Sequence, residues 1–208
     1  DLDGSTAPPA GSPDYFVAYG SNSLKFWKFT PNYTTPASSS LTGPTTVAVA
    51  AFSRACSGGT CIPQPGISQK LDSLADRLMY RNAYRNRGGT ESMVLNHSVT
   101  PGNGAASGIR WYEVRVAGGA FSIAQQGTFA PDTNSRWMGS IAMNGAGSIA
   151  VGYSVSSSSV KPSIRFTGRC RTDAPGSLQT EVNAVTGLGS QGPSLSRWGD
   201  YSAMVVDP

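Results

Sequence analysis

Three segments of this 208-residue chain share one pattern: Arg77-Leu-Met-Tyr-Arg-Asn-Ala83-Tyr84, Arg136-Trp-Met-Gly-Ser-Ile-Ala142-Met143 and Arg197-Trp-Gly-Asp-Tyr-Ser-Ala203-Met204. Each begins with Arg, carries Ala six residues later and has a large residue directly after the Ala. The segments stand 59 and 61 residues apart. Self-similarity at a period of about sixty residues constrains the fold more than any other feature, because it means one supersecondary unit used several times. Further matches fall in step. Val94-Leu-Asn-His-Ser-Val99 corresponds to Ala150-Val-Gly-Tyr-Ser-Val155, and Ile109-Arg110-Trp111 to Ile164-Arg165-Phe166, with Leu24-Lys25-Phe26 as a weaker earlier copy. An apolar stretch closes each unit, at 47–52, 121–129 and, more faintly, 178–185.

Each unit thus offers four short strands separated by Gly, Ser, Asn or Pro turns, and Asn144-Gly-Ala-Gly147 is a hairpin signal. Four antiparallel strands per repeat predict an all-β chain of β-propeller-type blades. One blade cannot hide both of its apolar faces and must lie against copies of itself. The expected division is a linker plus the end of a first blade over 1–52, its strands lying between 14 and 52. An inserted loop over 53–73 follows, then blades over 74–130 and 133–186, and the start of a further blade over 187–208. So few blades do not close a ring, so an incomplete propeller, or part of a larger one, is expected, completed by further chain or by self-association. The start at Asp1 without a leader and the stop at Pro208 within a unit lead to the same expectation.

One segment conflicts with this scheme. Across 69–87, Leu71, Leu74 and Leu78 form a helical stripe and Arg77, Arg81 and Arg85 recur at steps of four. Its repeat partner Trp137 to Met143 has no helical character. The repeat therefore predicts a strand from Leu78 to Tyr84, with room for a short helix before Arg77. The Pro- and Ser-rich segments 1–13 and 31–44 are expected to be surface connections.

Charged residues make up only 13% of the chain, and no apolar run approaches the roughly twenty residues of a membrane-spanning helix. The net charge of +4 is spread along the sequence, and no basic block alternates with stacking aromatics, which argues against nucleic acid. Cys56 and Cys61 flank Ser-Gly-Gly-Thr, a spacing suited to a local disulfide. Cys170 is left over, either buried and inert or paired beyond the chain end. Low charge and a disulfide point to a secreted, extracellular setting. His97 is the single histidine, so no metal site with the usual ligand spacing is expected, and no cofactor. Asp1-Leu-Asp3-Gly has the opening of a calcium loop without its later ligands.

The stretches 71–99, 127–169 and 196–208 resemble those of a group of secreted bacterial proteins of uncharacterised activity, and 136–142 and 197–203 are the most specific parts of that likeness. The resemblance covers most of the chain. It implies longer parent chains, with residues missing here at both ends, and brings no activity with it. More remotely, the blade pattern is similar to that of sialidase-like propellers, which bind a sugar carboxylate with three arginines and use a Tyr–Glu pair plus an Asp. This chain has neither an Arg-Ile-Pro near its start nor a Ser-x-Asp-x-Gly-x-Thr-Trp turn, so little of that chemistry transfers.

The repeated Arg77, Arg136 and Arg197 are the sharpest candidates for ligand binding. At the mouth of a propeller channel they would form an arc suited to carboxylate or sulfate. The structural alternative is that each ties its blade down through carbonyls or a neighbouring acid such as Asp76 or Asp200. Trp137 and Trp198 are expected to pack between blades. Glu113 breaks the repeat, since Thr167 or Gly168 stands in its place in the next unit, and is therefore a further ligand-binding candidate. His97 replaces Tyr153 in mid-strand, which suits packing better than a catalytic triad. No catalytic motif is assembled in the sequence. The expected function is an extracellular binding or scaffold module for an acidic glycan or a protein, with a sialidase-like hydrolase or lyase and a self-associating surface or filament protein as alternatives.

Overall fold

The structure is a computed structural model and describes residues 2–192 and 194–207. Strand accounts for 46% of the chain and helix for 3%, so the fold is all-β. A three-stranded sheet comes first, from β1 (Asp14–Gly20), β2 (Ser23–Thr30) and β3 (Ser40–Ala48). A small two-stranded sheet follows, from β4 (Thr60–Ile62) and β5 (Leu71–Asp72). The central sheet contains β6 (Ala83–Arg87), β7 (Thr90–Val99), β8 (Gly108–Ala117) and β9 (Ala120–Phe129). The last sheet contains β10 (Ser135–Met143), β11 (Ile149–Ser156), β12 (Ser163–Arg169) and β13 (Val182–Val185). Each of the three larger sheets is an antiparallel meander in chain order.

Local chemistry accounts for the meanders. Gly88-Gly89 and Gly118-Gly119 have φ of 58°, 88°, 55° and 76°, the left-handed backbone that a two-residue hairpin requires at both central positions. At the 144–147 turn, the Asn144 side chain accepts the Ser148 amide at 2.9 Å, standing in for a ladder bond.

The strand register reproduces the repeat. Ala83 faces Val94, which faces Glu113, and in the last sheet Ala142 faces Ala150, which faces Gly168. His97 lies opposite Arg110 as Tyr153 lies opposite Arg165. Strand parity then sends alternate side chains to opposite faces of the central sheet. Tyr84, Met93, Leu95, Tyr112, Val114 and Val116 pack on Leu24 and Phe26 of the first sheet. Ala83, Val94, Ile109 and Trp111 pack on Ile141, Met143, Ile149, Val151 and Tyr153 of the last. Both faces of the central sheet are therefore buried, with each large apolar side chain contributing roughly 1.5–3 kcal/mol. The approach of β10 to β7 is close: a Cβ on Gly139 would sit 2.3 Å from Asn96 Oδ1.

The third copy of the motif, 197–204, is not a strand but runs along β10. Ser202 Oγ donates to the Met138 carbonyl at 3.1 Å, and the Met204 amide donates to Ser140 Oγ at 2.7 Å. Trp137 and Trp198 belong to one apolar cluster with Ile62 and Leu71. Met138 and Gly199, equivalent in the repeat, both have positive φ, 52° and 73°. Both outer faces of the stack expose apolar residues, Phe16 and Leu41 at one end and Ile164 and Phe166 at the other.

Several expectations are corrected. The segment 78–82 is not strand, and β6 begins at Ala83. Tertiary contacts hold it instead: the Met79 amide bonds to the Asn96 carbonyl, and Arg81 pairs with buried Asp3. No helix lies between 69 and Arg77, where β5 pairs with β4 through Leu71 and Asp72. The 31–44 connection ends at Ser40, where β3 starts, because Leu41 and Thr42 pair with β2. Within 1–13, Leu2 bridges Tyr84 and the Asp3 amide bonds to its carbonyl, so this segment is partly packed. The 53–73 insertion carries a 3-10 turn over Ala55–Gly58 besides its two short strands. Asp1, part of the calcium-loop motif, and Pro208 lie outside the described residues.

Candidate functional site

A cavity of about 890 Å³ lies where the repeat-equivalent segments converge. Its walls come from Tyr15 to Val17 on β1, from Arg77 to Asn82 before β6, from Met138 on β10 and from Arg197 with Asp200 to Ala203. Three aromatic side chains stand at it largely exposed: Phe16 at 56%, Tyr80 at 66% and Tyr201 at 99%.

Two of the three repeated arginines open onto this space. Arg77 forms a two-bond pair with Asp76, Nε to Oδ1 at 2.8 Å and NH2 to Oδ2 at 2.7 Å. Those bonds hold the Asp76 carboxyl below its ordinary range. Arg197 pairs with Asp200 at 2.6 Å. Both arginine side chains remain more than half exposed, at 61% and 55%. Each neighbouring acid neutralises its arginine while leaving part of the guanidinium fork to solvent, so a carboxylate or sulfate can compete for it in bidentate geometry.

Arg136 lies elsewhere, fully buried at the start of β10. Its Nε donates to Glu181 Oε2 at 2.9 Å, its NH2 to Oε1 at 2.6 Å, and its NH1 to Asp132 Oδ1 at 2.7 Å. Tyr153 donates to Glu181 Oε2 at 2.7 Å, and Arg165 to Oε1. Burial pulls Arg136 down, but Glu181 and Asp132 outweigh it and its pKa is raised. Burial pushes Glu181 up, and the bonds from Arg136, Tyr153 and Arg165 reverse this, so its carboxyl is held low. Asp132 is pulled down to about 2, chiefly by its bond from Arg136. Both Glu181 oxygens are occupied from within the protein. This cluster ties strands β10, β11 and β12 to the segment before β13.

Glu113 is also away from the cavity. It is buried on the central sheet, held by Arg115 at 2.7 Å and by the Gln125 amide. His97 is buried between Tyr19 and Phe52, with Nε2 2.9 Å from the Tyr112 hydroxyl. Burial, with a smaller contribution from Arg110, pushes its pKa down to about 3, so it is a neutral packing group. Cys56 and Cys61 form a disulfide, and Cys170 is an exposed free thiol rather than a buried one.

Sequence reasoning did not find Tyr80, Tyr201 or Phe16 as cavity residues. Tyr80 and Tyr201 sit within two copies of the Arg motif, at the non-equivalent positions three and four residues after the Arg, so the only signal was that each of these two copies carries a tyrosine.

The molecule is thus an all-β protein of stacked antiparallel meanders, with an arginine-lined, aromatic-rimmed cavity between equivalent segments. No protein-family model, curated protein or solved structure matches the chain. Among the described residues no helix is long and apolar enough to cross a membrane.

Proposed function

We propose that this protein is a propeller-type extracellular binding module that takes an acidic saccharide in the cavity between Arg77 and Arg197. One observation carries the reading: two arginines equivalent in the repeat open onto one cavity, beside exposed Phe16, Tyr80 and Tyr201. Guanidinium forks match a sugar carboxylate, and aromatic faces give the sugar ring an apolar surface to rest on. The hydrolase alternative needs two carboxylates across the scissile bond. Asp200, the carboxylate that lines the cavity, is engaged by Arg197, while Glu113 and Glu181 are buried elsewhere.

Calorimetric titration with oligosaccharides of glucuronic, galacturonic and N-acetylneuraminic acid, each beside a neutral counterpart, tests the proposal. The acidic member of at least one pair saturates the protein, and Arg77→Ala with Arg197→Ala weakens it at least tenfold, since a charge-assisted hydrogen bond contributes about 1.5–3 kcal/mol. Equal affinity for the neutral sugar, or an unchanged affinity in the double variant, refutes the reading.

A second reading, self-association, is favoured by the outer face of the first sheet. There Phe16, Trp27, Phe29 and Leu41 line an apolar hollow of about 370 Å³, with Leu41 62% exposed. Light scattering that finds a monomer at high concentration removes it.

A further inference from the structure

The face of the central sheet that meets the last sheet carries a second cationic cluster, away from the cavity. Ala83, on β6, packs into the core toward the last sheet, so strand parity puts Arg85 and Arg87 on that same face. Arg85 lies opposite Ser92, and Ser92 opposite Arg115 on β8, so Arg85 and Arg115 share a row across three strands. The ends of Arg85 and Arg87 reach the 144–147 turn of the last sheet: a Cβ on Gly145 would meet Arg85 NH1 at 3.6 Å, and one on Gly147 would meet Arg87 NH1 at 2.6 Å. Arg171, exposed just after β12, acts electrostatically on Arg87 together with Arg115 and Arg85.

Arg85 and Arg87 have no ion-pair partner among the described residues. Arg85 is only 9% exposed, and the Nε atoms of Arg85 and Arg87 are buried without a hydrogen-bond partner among the described residues. The carboxylate that acts on Arg87 is Glu113, and it is already held by Arg115 at 2.7 Å and by Gln125. A buried cation is stabilised only by a paired anion or by hydrogen bonds. Elsewhere the chain follows that rule: buried Arg81 has Asp3, and buried Arg136 has Glu181 and Asp132. Among the described residues no anion pairs with Arg85 or Arg87, so an added anion would supply the missing charge, and planar forks reaching one turn suit a tetrahedral oxyanion better than a single point charge.

We propose that Arg85, Arg87, Arg115 and Arg171 form a site for a tetrahedral oxyanion, the phosphate or sulfate group of a free ion or of a polyanionic chain. Burial lowers the pKa of both Arg85 and Arg87, as expected of cations awaiting a counter-charge. The site is independent of the saccharide cavity, to which none of the four arginines contributes.

The test is calorimetric titration of the whole chain, at fixed ionic strength set with chloride, with inorganic phosphate, inorganic sulfate and a sulfated polysaccharide. Saturable binding of at least one of them is expected, weakened at least tenfold by Arg87→Gln with Arg171→Gln and unchanged by Arg77→Ala with Arg197→Ala. Saturation by the inorganic ions at low millimolar concentration identifies a free ion as the ligand; saturation by the polysaccharide alone identifies a polymer-borne group. Arg85→Gln, the most buried of the changes, is read only after circular dichroism shows that it folds, and the Arg87/Arg171 pair decides the outcome without it. Heats no larger than those of chloride, or equal affinity in the Arg87/Arg171 variant, overturn the site. Loss of binding in the Arg77/Arg197 variant alone assigns the anion to the cavity and overturns it as well.

Discussion

Lowering the pH perturbs one group whose response follows from the structure: His97, the single histidine of the chain. It is fully buried between Tyr19 and Phe52, with Arg110 on the opposite strand position, and its pKa is pushed down from 6.5 to about 3. The folded value lies below the unfolded one, so between these pH values the unfolded chain binds the extra proton. The stabilisation is complete above pH 6.5 and is lost progressively as pH falls toward 3, at about 1.4 kcal/mol per pH unit in mid-range. Over the full interval the loss is on the order of 5 kcal/mol, comparable with the whole stability of many domains. Urea denaturation at a series of pH values, with His97→Gln as a neutral surrogate, isolates this contribution from the carboxylates. The difference in unfolding free energy between parent and variant is expected to fall with pH from 6.5 to 4 at close to the stated slope. Because there is one histidine, its NMR ring-proton signal needs no assignment and titrates directly. A midpoint near 6.5, or parallel stability curves for parent and variant, refutes the account of a solvent-excluded neutral imidazole.

Two further outcomes follow from packing and pairing. Glu181→Gln leaves the fully buried Arg136 facing an amide and is expected to cost about 3–5 kcal/mol in urea unfolding; a cost under about 1 kcal/mol would show that Asp132 alone suffices. Gly139→Ala places a methyl 2.3 Å from Asn96 Oδ1 and 3.3 Å from Ile109 Cδ1, and is expected to lower stability by about 1–3 kcal/mol with weakened amide-exchange protection on both β7 and β10. Protection lost on β10 alone would mean that the two sheets do not depend on their close contact.

The repeat was legible because its evidence was redundant. Matches at Ala83 and Ala142, at Val94 and Ala150, and at Arg110 and Arg165 all specify one register, and strand pairing has that register. Where only one copy was informative, the reading drifted. Leu78 to Asn82 was assigned to a strand by analogy with Trp137, yet Asp3, more than seventy residues away in sequence, holds Arg81 there. The arginine set shows the same limit. Arg77, Arg136 and Arg197 are indistinguishable by position in the repeat, and Asp76 and Asp200 sit beside two of them in sequence, so those local pairs were readable. Glu181, which removes Arg136 from any ligand site, is 45 residues away. Arg85 stood out in the sequence only as one of three arginines at steps of four and Arg87 not at all, and only strand parity brings the two together on one face.

By itself, then, the amino-acid order determined what depends on short range: strands from the repeated apolar stretches, the hairpin turn at 144–147, the Cys56–Cys61 bridge, and a repeating register. Only the tertiary structure decided which equivalent residues meet solvent and which meet a partner. The physical reason is that charge compensation depends on distance in space. Arginines at equivalent positions of the repeat become a cavity wall or a buried tie according to whether a carboxylate from a distant segment reaches them.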